Sequence, residues 1–136
     1  MSEENVEIVR RAFDAQARRD PTVLAFYDPA VKMEFGDSPF ADFIPHGTCH
    51  GLREIQRAFH DFYEAFDDVE GEVHELIDAD EHVVSVFTYR GRGRTSGVEA
   101  EWKQMAGVWT FKGGKIVRVT WLRTRDDALE AAGLSE

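Results

Sequence analysis

The sequence predicts an α+β fold in which N-terminal helices pack on one face of a curved antiparallel sheet and enclose a cone. Three observations carry that expectation. Apolar residues recur at helical spacing early in the chain, at Val6, Val9, Phe13 and Ala17 and again at Leu52, Ile55, Phe59, Phe62 and Phe66. From Glu70 onward the pattern alternates in twos, with turn residues at Asp78-Ala79-Asp80 and Gly113-Gly114. The 136 residues, 43% hydrophobic and 12% aromatic, suit one domain spanning 1–136 with a single core.

Ser2 is placed to cap the first helix, with acidic residues in its first turn. Asp20-Pro21 restarts a short helix through Leu24, Phe26 and Tyr27, and Asp28-Pro29 ends it, because residues before proline disfavour helical backbone. Val31–Phe35 alternates as a strand. The segment 36–51, with Pro39, Pro45 and Gly47, reads as a long loop of the kind that often carries function. The longest apolar stripe, Leu52 to Phe66, is the second main helix. A four-strand meander follows, at about 70–77, 82–92, 98–111 and 115–125. Asp126 or Asp127 caps a terminal helix that stops at Gly133. A long helix against a curved sheet leaves a mouth that can hold a ligand.

The formal charge of −10 is unevenly placed. Ten acids and no Lys or Arg lie between Asp61 and Glu81, whereas nine bases face only Glu99 and Glu101 between Arg90 and Arg125. Two readings follow: cross-strand complementarity, or a docking patch for a basic partner. The acidic balance argues against nucleic acid and anionic membranes. Arg90-Gly91-Arg92-Gly93-Arg94 lacks interleaved aromatics and lies in a predicted hairpin, so it is not read as an RNA-binding motif. No apolar run approaches a membrane span, the first residues carry no leader-like stretch, and Cys49 is the lone cysteine; a cytoplasmic protein is expected.

Three segments carry a resemblance: Asn5–Phe13, Tyr89-Arg90-Gly91-Arg92-Gly93, and Val108–Val117 with its Lys112-Gly113-Gly114-Lys115 turn; the terminal Asp127–Leu134 is also similar. On these the chain resembles the SnoaL-like branch of the nuclear transport factor 2-like superfamily, which includes ketosteroid isomerases and polyketide cyclases. The resemblance implies a cone-shaped sheet and a homodimer formed through the outer face of that sheet. It is specific for fold and not for reaction. The phenol, base and acid of ketosteroid isomerases fall near Ala12, Phe35 and Gly107, so none is kept. Limonene epoxide hydrolases need an Asp-Arg-Asp set, for which Arg123 has no pair of inward aspartates beside it. Many relatives carry a histidine where this chain has Gly107, a difference that implies room for an apolar ligand.

Strand alternation groups Val83, Ser85, Phe87 and Tyr89, then Met105, Gly107 and Trp109, then Val117, Val119, Trp121 and Arg123; the resemblance turns these faces inward. With Phe35 and Phe59 from elsewhere, the candidate ligand-binding set is Phe35, Phe59, Ser85, Phe87, Tyr89, Met105, Gly107, Trp109, Val119, Trp121 and Arg123. For each aromatic the alternative is a plain core role. Arg123, if inward, needs Glu34, Asp37 or a ligand carboxylate as partner; otherwise it ends its strand and reaches water. The best catalytic candidates are Asp37, His46 and His50 in the loop, together with Arg123, because a histidine–carboxylate pair at the mouth would titrate near neutrality. Asp42, His46 and His50 lack a metal spacing, so no metal and no cofactor are expected. His60 reads as solvent-facing, and His74 and His82 as structural. Thr95-Ser96-Gly97 is a turn rather than a nucleophile elbow. The leading reading is a binder of a small, apolar or mildly anionic metabolite; the sequence leaves open whether it also catalyses proton transfer, cyclisation or hydration on it. The alternative is a non-catalytic dimeric interaction or assembly module.

Overall fold

The first helix, α1 (Ser2–Ala17), presents Val9, Ala12 and Phe13 to the interior and its arginines to water, as its spacing requires. The computed structural model describes residues 2–39 and 47–134, without the side chains of Ser2 and Asp37. Asp20 caps the next turn by accepting from the Thr22 N–H at 2.9 Å. That turn is a 3-10 helix, Pro21–Phe26, and the chain then becomes strand at Tyr27, two residues earlier than the proline suggested. Pro29 is tolerated inside β1 (Tyr27–Asp37) because pairing with its neighbour is interrupted between Tyr27 and Lys32.

The expected loop contains a short strand, β2 (Thr48–His50), antiparallel to β1. Helix α2 (Gly51–Ala65) buries Ile55, Ala58 and Phe62. The meander is β3 (Phe66–Ala79), β4 (His82–Gly93), β5 (Glu99–Lys112) and β6 (Lys115–Leu122), and α3 (Arg125–Ala131) ends the fold. The six strands form one sheet in the order β2-β1-β6-β5-β4-β3, in which β1 and β6 run parallel and the other neighbours antiparallel. This is the expected α+β architecture, with α1 and α2 across the inner face and α3 on the outer face.

Two irregularities decide which side chains face inward. In β5 a bulge at Gln104, with φ of 50°, lets both Trp102 and Met105 face the core. Between β5 and β6 the register slips, pairing Phe111 with Ile116 and Thr110 with Arg118. Val117 is therefore the extra residue and only half-buried, while Ile116 takes the inward place expected for it.

The terminal segment also differs from expectation. β6 stops at Leu122 instead of about Arg125, and the cap of α3 is Thr124, whose Oγ1 accepts from the Asp127 N–H at 3.0 Å. Asp126 and Asp127 sit in the first turn, where carboxylates favour the positive end of the helix dipole. Leu122 packs with Val84, Ala106, Val108 and Ala128 in a small second cluster under α3.

The opposite charges of the two sequence windows meet across strands and at the helix ends. Arg90 approaches Glu72 at 3.6 Å, Arg92 approaches Asp68 at 3.7 Å, and Arg125 approaches Glu75 at 2.8 Å. Arg94 joins Asp67 at 2.9 Å and Glu64 at 3.3 Å, and also bonds the Tyr63 carbonyl, which ties the strand tip to the last turn of α2. Among the described residues, no helix is long and apolar enough to cross a membrane.

Candidate functional site

The inner face is an aromatic lattice. Phe13 from α1 packs at 5.3 Å from Phe87 and 5.4 Å from Trp109, and Trp121 stands edge-on to both Phe87 and Trp109 at 5.4 Å. Such tilted and edge-on contacts are the favoured aromatic geometry. Trp109 donates its indole N–H to the buried Ser85 Oγ at 2.9 Å, which gives Ser85 a structural task inside the core. Gly107 does leave room, but the room is already taken. A Cβ there would lie 2.9 Å from the Trp121 ring and 3.1 Å from Ser85 Oγ. The missing side chain accommodates Trp121 rather than a ligand.

In front of this lattice a cavity of about 40 Å³ remains, enough for a few waters. Phe35, Trp109 and Trp121 form its floor from the sheet, and Ala12 and Phe13 form one side. Phe59, Phe62 and Tyr63 of α2 form another. Its lining includes Gln16 and Tyr27, Tyr63 and Tyr89, which are all three tyrosines of the chain. Tyr63 donates to the Gln16 main-chain carbonyl at 3.2 Å and accepts from the Gln16 side-chain amide at 3.1 Å. Tyr89 lies across Gly71 of the neighbouring strand, where any Cβ would overlap its ring.

Burial pushes the Tyr27 phenol well above its ordinary range. It does the same to Tyr89, which the nearby Tyr63 and Tyr27 push higher still. Tyr63 is raised by burial, with Gln16 and Arg19 opposing. All three are therefore protonated at neutral pH, which leaves each with a proton to donate and none as a base. No carboxylate, histidine or lysine lies among the described residues lining the cavity. The arrangement surrounds a small apolar space with phenols that can polarise an oxygen; among the described residues it offers no general base.

The sequence-predicted residues separate into groups. Phe35, Phe59, Tyr89, Trp109 and Trp121 line the cavity. Ser85, Phe87, Met105, Gly107 and Val119 lie buried behind that lining. Arg123 does not point into the cone: the strand ends one residue before it, and it lies exposed in a shallow hollow with Leu122, Asp127 and Glu130. Glu34 faces the other way as well, bonded to Arg118 Nε and Thr120 Oγ1 at 2.9 Å each. His50 is exposed at the start of α2, its N–H donating to Glu54 at 2.8 Å. His46 and Asp42 lie outside the described residues, as does the Asp37 side chain. His60 is not buried, and His74 and His82 bond Thr88 and Thr110 across strands. Among the described residues, no three His, Cys, Asp or Glu side chains could hold a metal ion.

Sequence reasoning missed Gln16, Tyr27 and Tyr63. A signal existed for Gln16, which continues the apolar stripe of α1 three residues after Phe13, where a polar side chain is out of place. Tyr63 similarly lies four residues after Phe59.

A six-stranded cone closed by two helices, with an aromatic floor, matches one family over most of its length. The family model described as SnoaL-like domain matches residues 9–119. The chain belongs to the SnoaL-like family. A solved NTF2-like protein from Burkholderia thailandensis E264 is 30% identical, with 86% of this chain and 88% of that chain covered and a TM-score of 0.73. An NTF2-like protein of unknown function from Burkholderia pseudomallei K96243 is 24% identical, covering 93% and 95%, with a TM-score of 0.76. TerC, co-crystallized with polyporic acid, is 18% identical, covering 96% and 98%, with a TM-score of 0.76. The search of curated proteins finds no match.

Proposed function

We propose that this SnoaL-like protein binds a small, flat, largely apolar molecule carrying a hydrogen-bond-accepting oxygen. One observation carries the reading: all three tyrosines line, protonated, a cavity whose other walls are mostly aromatic. Phenol donors in an apolar site stabilise charge developing on a carbonyl oxygen, so any chemistry here is polarisation of a bound ketone, enone or quinone. TerC, of the same fold, was co-crystallized with polyporic acid, in keeping with a ligand in such a cone. The test is a titration of Trp109 and Trp121 fluorescence with bicyclic ketones and their deoxygenated hydrocarbons. The ketones should quench at lower concentration than the hydrocarbons, and Tyr89→Phe should narrow that difference. A panel that leaves the fluorescence unchanged up to its solubility limit rejects the reading.

The second reading, a non-catalytic dimeric interaction module, is favoured by the small free volume of the cavity. The outer face of the sheet is the surface expected for the dimer. Outside α3 it offers ion pairs such as Arg118–Glu34 and Arg90–Glu101 rather than an apolar patch. A dimer held by that face dissociates with rising salt in light-scattering measurements.

A further inference from the structure

The free space in the cavity is too small for a single aromatic ring, so a ligand must displace part of its wall. Phe35, Trp109 and Trp121 are nearly fully buried on paired strands and cannot yield without breaking the core. Tyr63 can. It is half-buried on α2 and held by two long hydrogen bonds to one residue, Gln16. It also forms part of the wall of two neighbouring hollows. One, of about 270 Å³, lies between α1 and β3. The other, of about 310 Å³, lies between α2 and the segment linking α1 to the 3-10 helix.

The second hollow holds the charge. Arg19 sits there with its guanidinium 4.3 Å from the centre of the Tyr63 ring. Its backbone is left-handed, with φ of 52°, at the end of α1 where glycine is the unstrained residue. The carboxylates around it are engaged elsewhere: Asp20 caps the 3-10 helix and Glu64 pairs with Arg94. No described carboxylate pairs with Arg19, whose guanidinium lies instead over an aromatic face.

We propose that Tyr63 is a movable partition between the inner cavity and the hollow roofed by Arg19, and that together they take an aromatic carboxylate. The ring enters the tyrosine-lined cavity as Tyr63 swings aside, and the carboxylate replaces the Tyr63 ring as the partner of the Arg19 guanidinium. A carboxylate suits the planar fork of arginine better than an aromatic face does. This inference rests on the binding role proposed above and adds the anionic group and its receptor.

The experiment compares 2-naphthoate with its neutral isostere 2-naphthamide, read by quenching of Trp109 and Trp121. Naphthoate should bind about tenfold tighter than naphthamide to the unaltered protein. Arg19→Gln should erase that preference by weakening naphthoate about tenfold more than naphthamide, and Arg19→Lys should restore part of it. Tyr63→Ala should tighten both ligands severalfold, because the open form no longer has to be populated at a cost. Equal affinities in the unaltered protein, or a preference that survives Arg19→Gln, overturn the carboxylate subsite and leave the cavity reading standing if naphthamide binds. Weaker binding of both ligands by Tyr63→Ala overturns the partition. Failure of both ligands to bind the unaltered protein overturns this inference and the cavity reading together.

Discussion

The two faces of the sheet solve opposite problems with neighbouring residues. Along β4, Val83, Ser85 and Phe87 face the cone, and Val84, Val86 and Thr88 face outward. The inner face is packed with interlocking rings and holds its polar groups neutral: Ser85 satisfies Trp109, and burial keeps Tyr27 and Tyr89 protonated. The outer face and the strand ends hold their groups charged, in exposed pairs such as Arg118–Glu34 and Arg125–Glu75. Close packing makes the inner face intolerant of any change in volume, whereas water stands in for a lost partner outside. Stability therefore rests on the inner lattice, and the outer pairs chiefly settle strand register and solubility.

The comparison breaks most severely at Phe87, fully buried between Phe13, Tyr89 and Trp121. Phe87→Ala should cost about 3–5 kcal/mol in urea unfolding, and a loss below about 1 kcal/mol would show that the lattice does not carry the fold. Gly107→Ala adds volume where Phe87→Ala removes it. Its Cβ meets the Trp121 ring at 2.9 Å, so about 1–3 kcal/mol should be lost, with a change in the near-ultraviolet dichroism of the tryptophans.

pH separates the faces by sign. Tyr27 and Tyr89 have folded pKa values raised above the ordinary 10.0, so their contribution is complete below pH 10 and is lost as pH rises further. Each contributes a slope of up to about 1.4 kcal/mol per pH unit there, and Tyr27→Phe should flatten the alkaline limb of the stability curve by one such share.

Glu34 behaves oppositely. Burial raises its pKa, but hydrogen bonds from Arg118 and Thr120 outweigh that and hold it below 4.5. Its contribution is present above the unfolded value and is lost as pH falls through the lower folded one. Glu34→Gln should change stability at neutral pH by less than about 1 kcal/mol and remove a small part of the acid limb. A larger loss would show that the outer pairs carry more of the fold than their exposure implies.

Much of this could be read in advance because periodicity reports on burial. The stripe Leu52, Ile55, Phe59 and Phe62 became α2, and Gly113-Gly114 became the β5–β6 turn, since local spacing and backbone freedom decide those elements. The aromatic floor was legible for the same reason: Trp109 and Trp121 lie in phase on their strands. For Arg123 the sequence left two places open, inward or at the strand end in water, because alternation continues past a strand end that the pattern cannot mark; the chain leaves the sheet after Leu122 to form α3, which puts Arg123 in water. Val117 was misread because a register slip between β5 and β6 inserts one residue that no sequence period records.

The order of elements, the apolar faces and the SnoaL-like relationship are written in local spacing and motif, which survive without knowing what lies opposite. The cavity is not. Tyr27, Tyr63 and Tyr89 come from a strand start, a helix and a strand of the meander, and they share one space only because the sheet curves beneath two helices. Whether Gly107 is a vacancy or a seat for Trp121, and whether an arginine faces the cone or the water, depends on volumes and strand ends fixed by contacts across the fold.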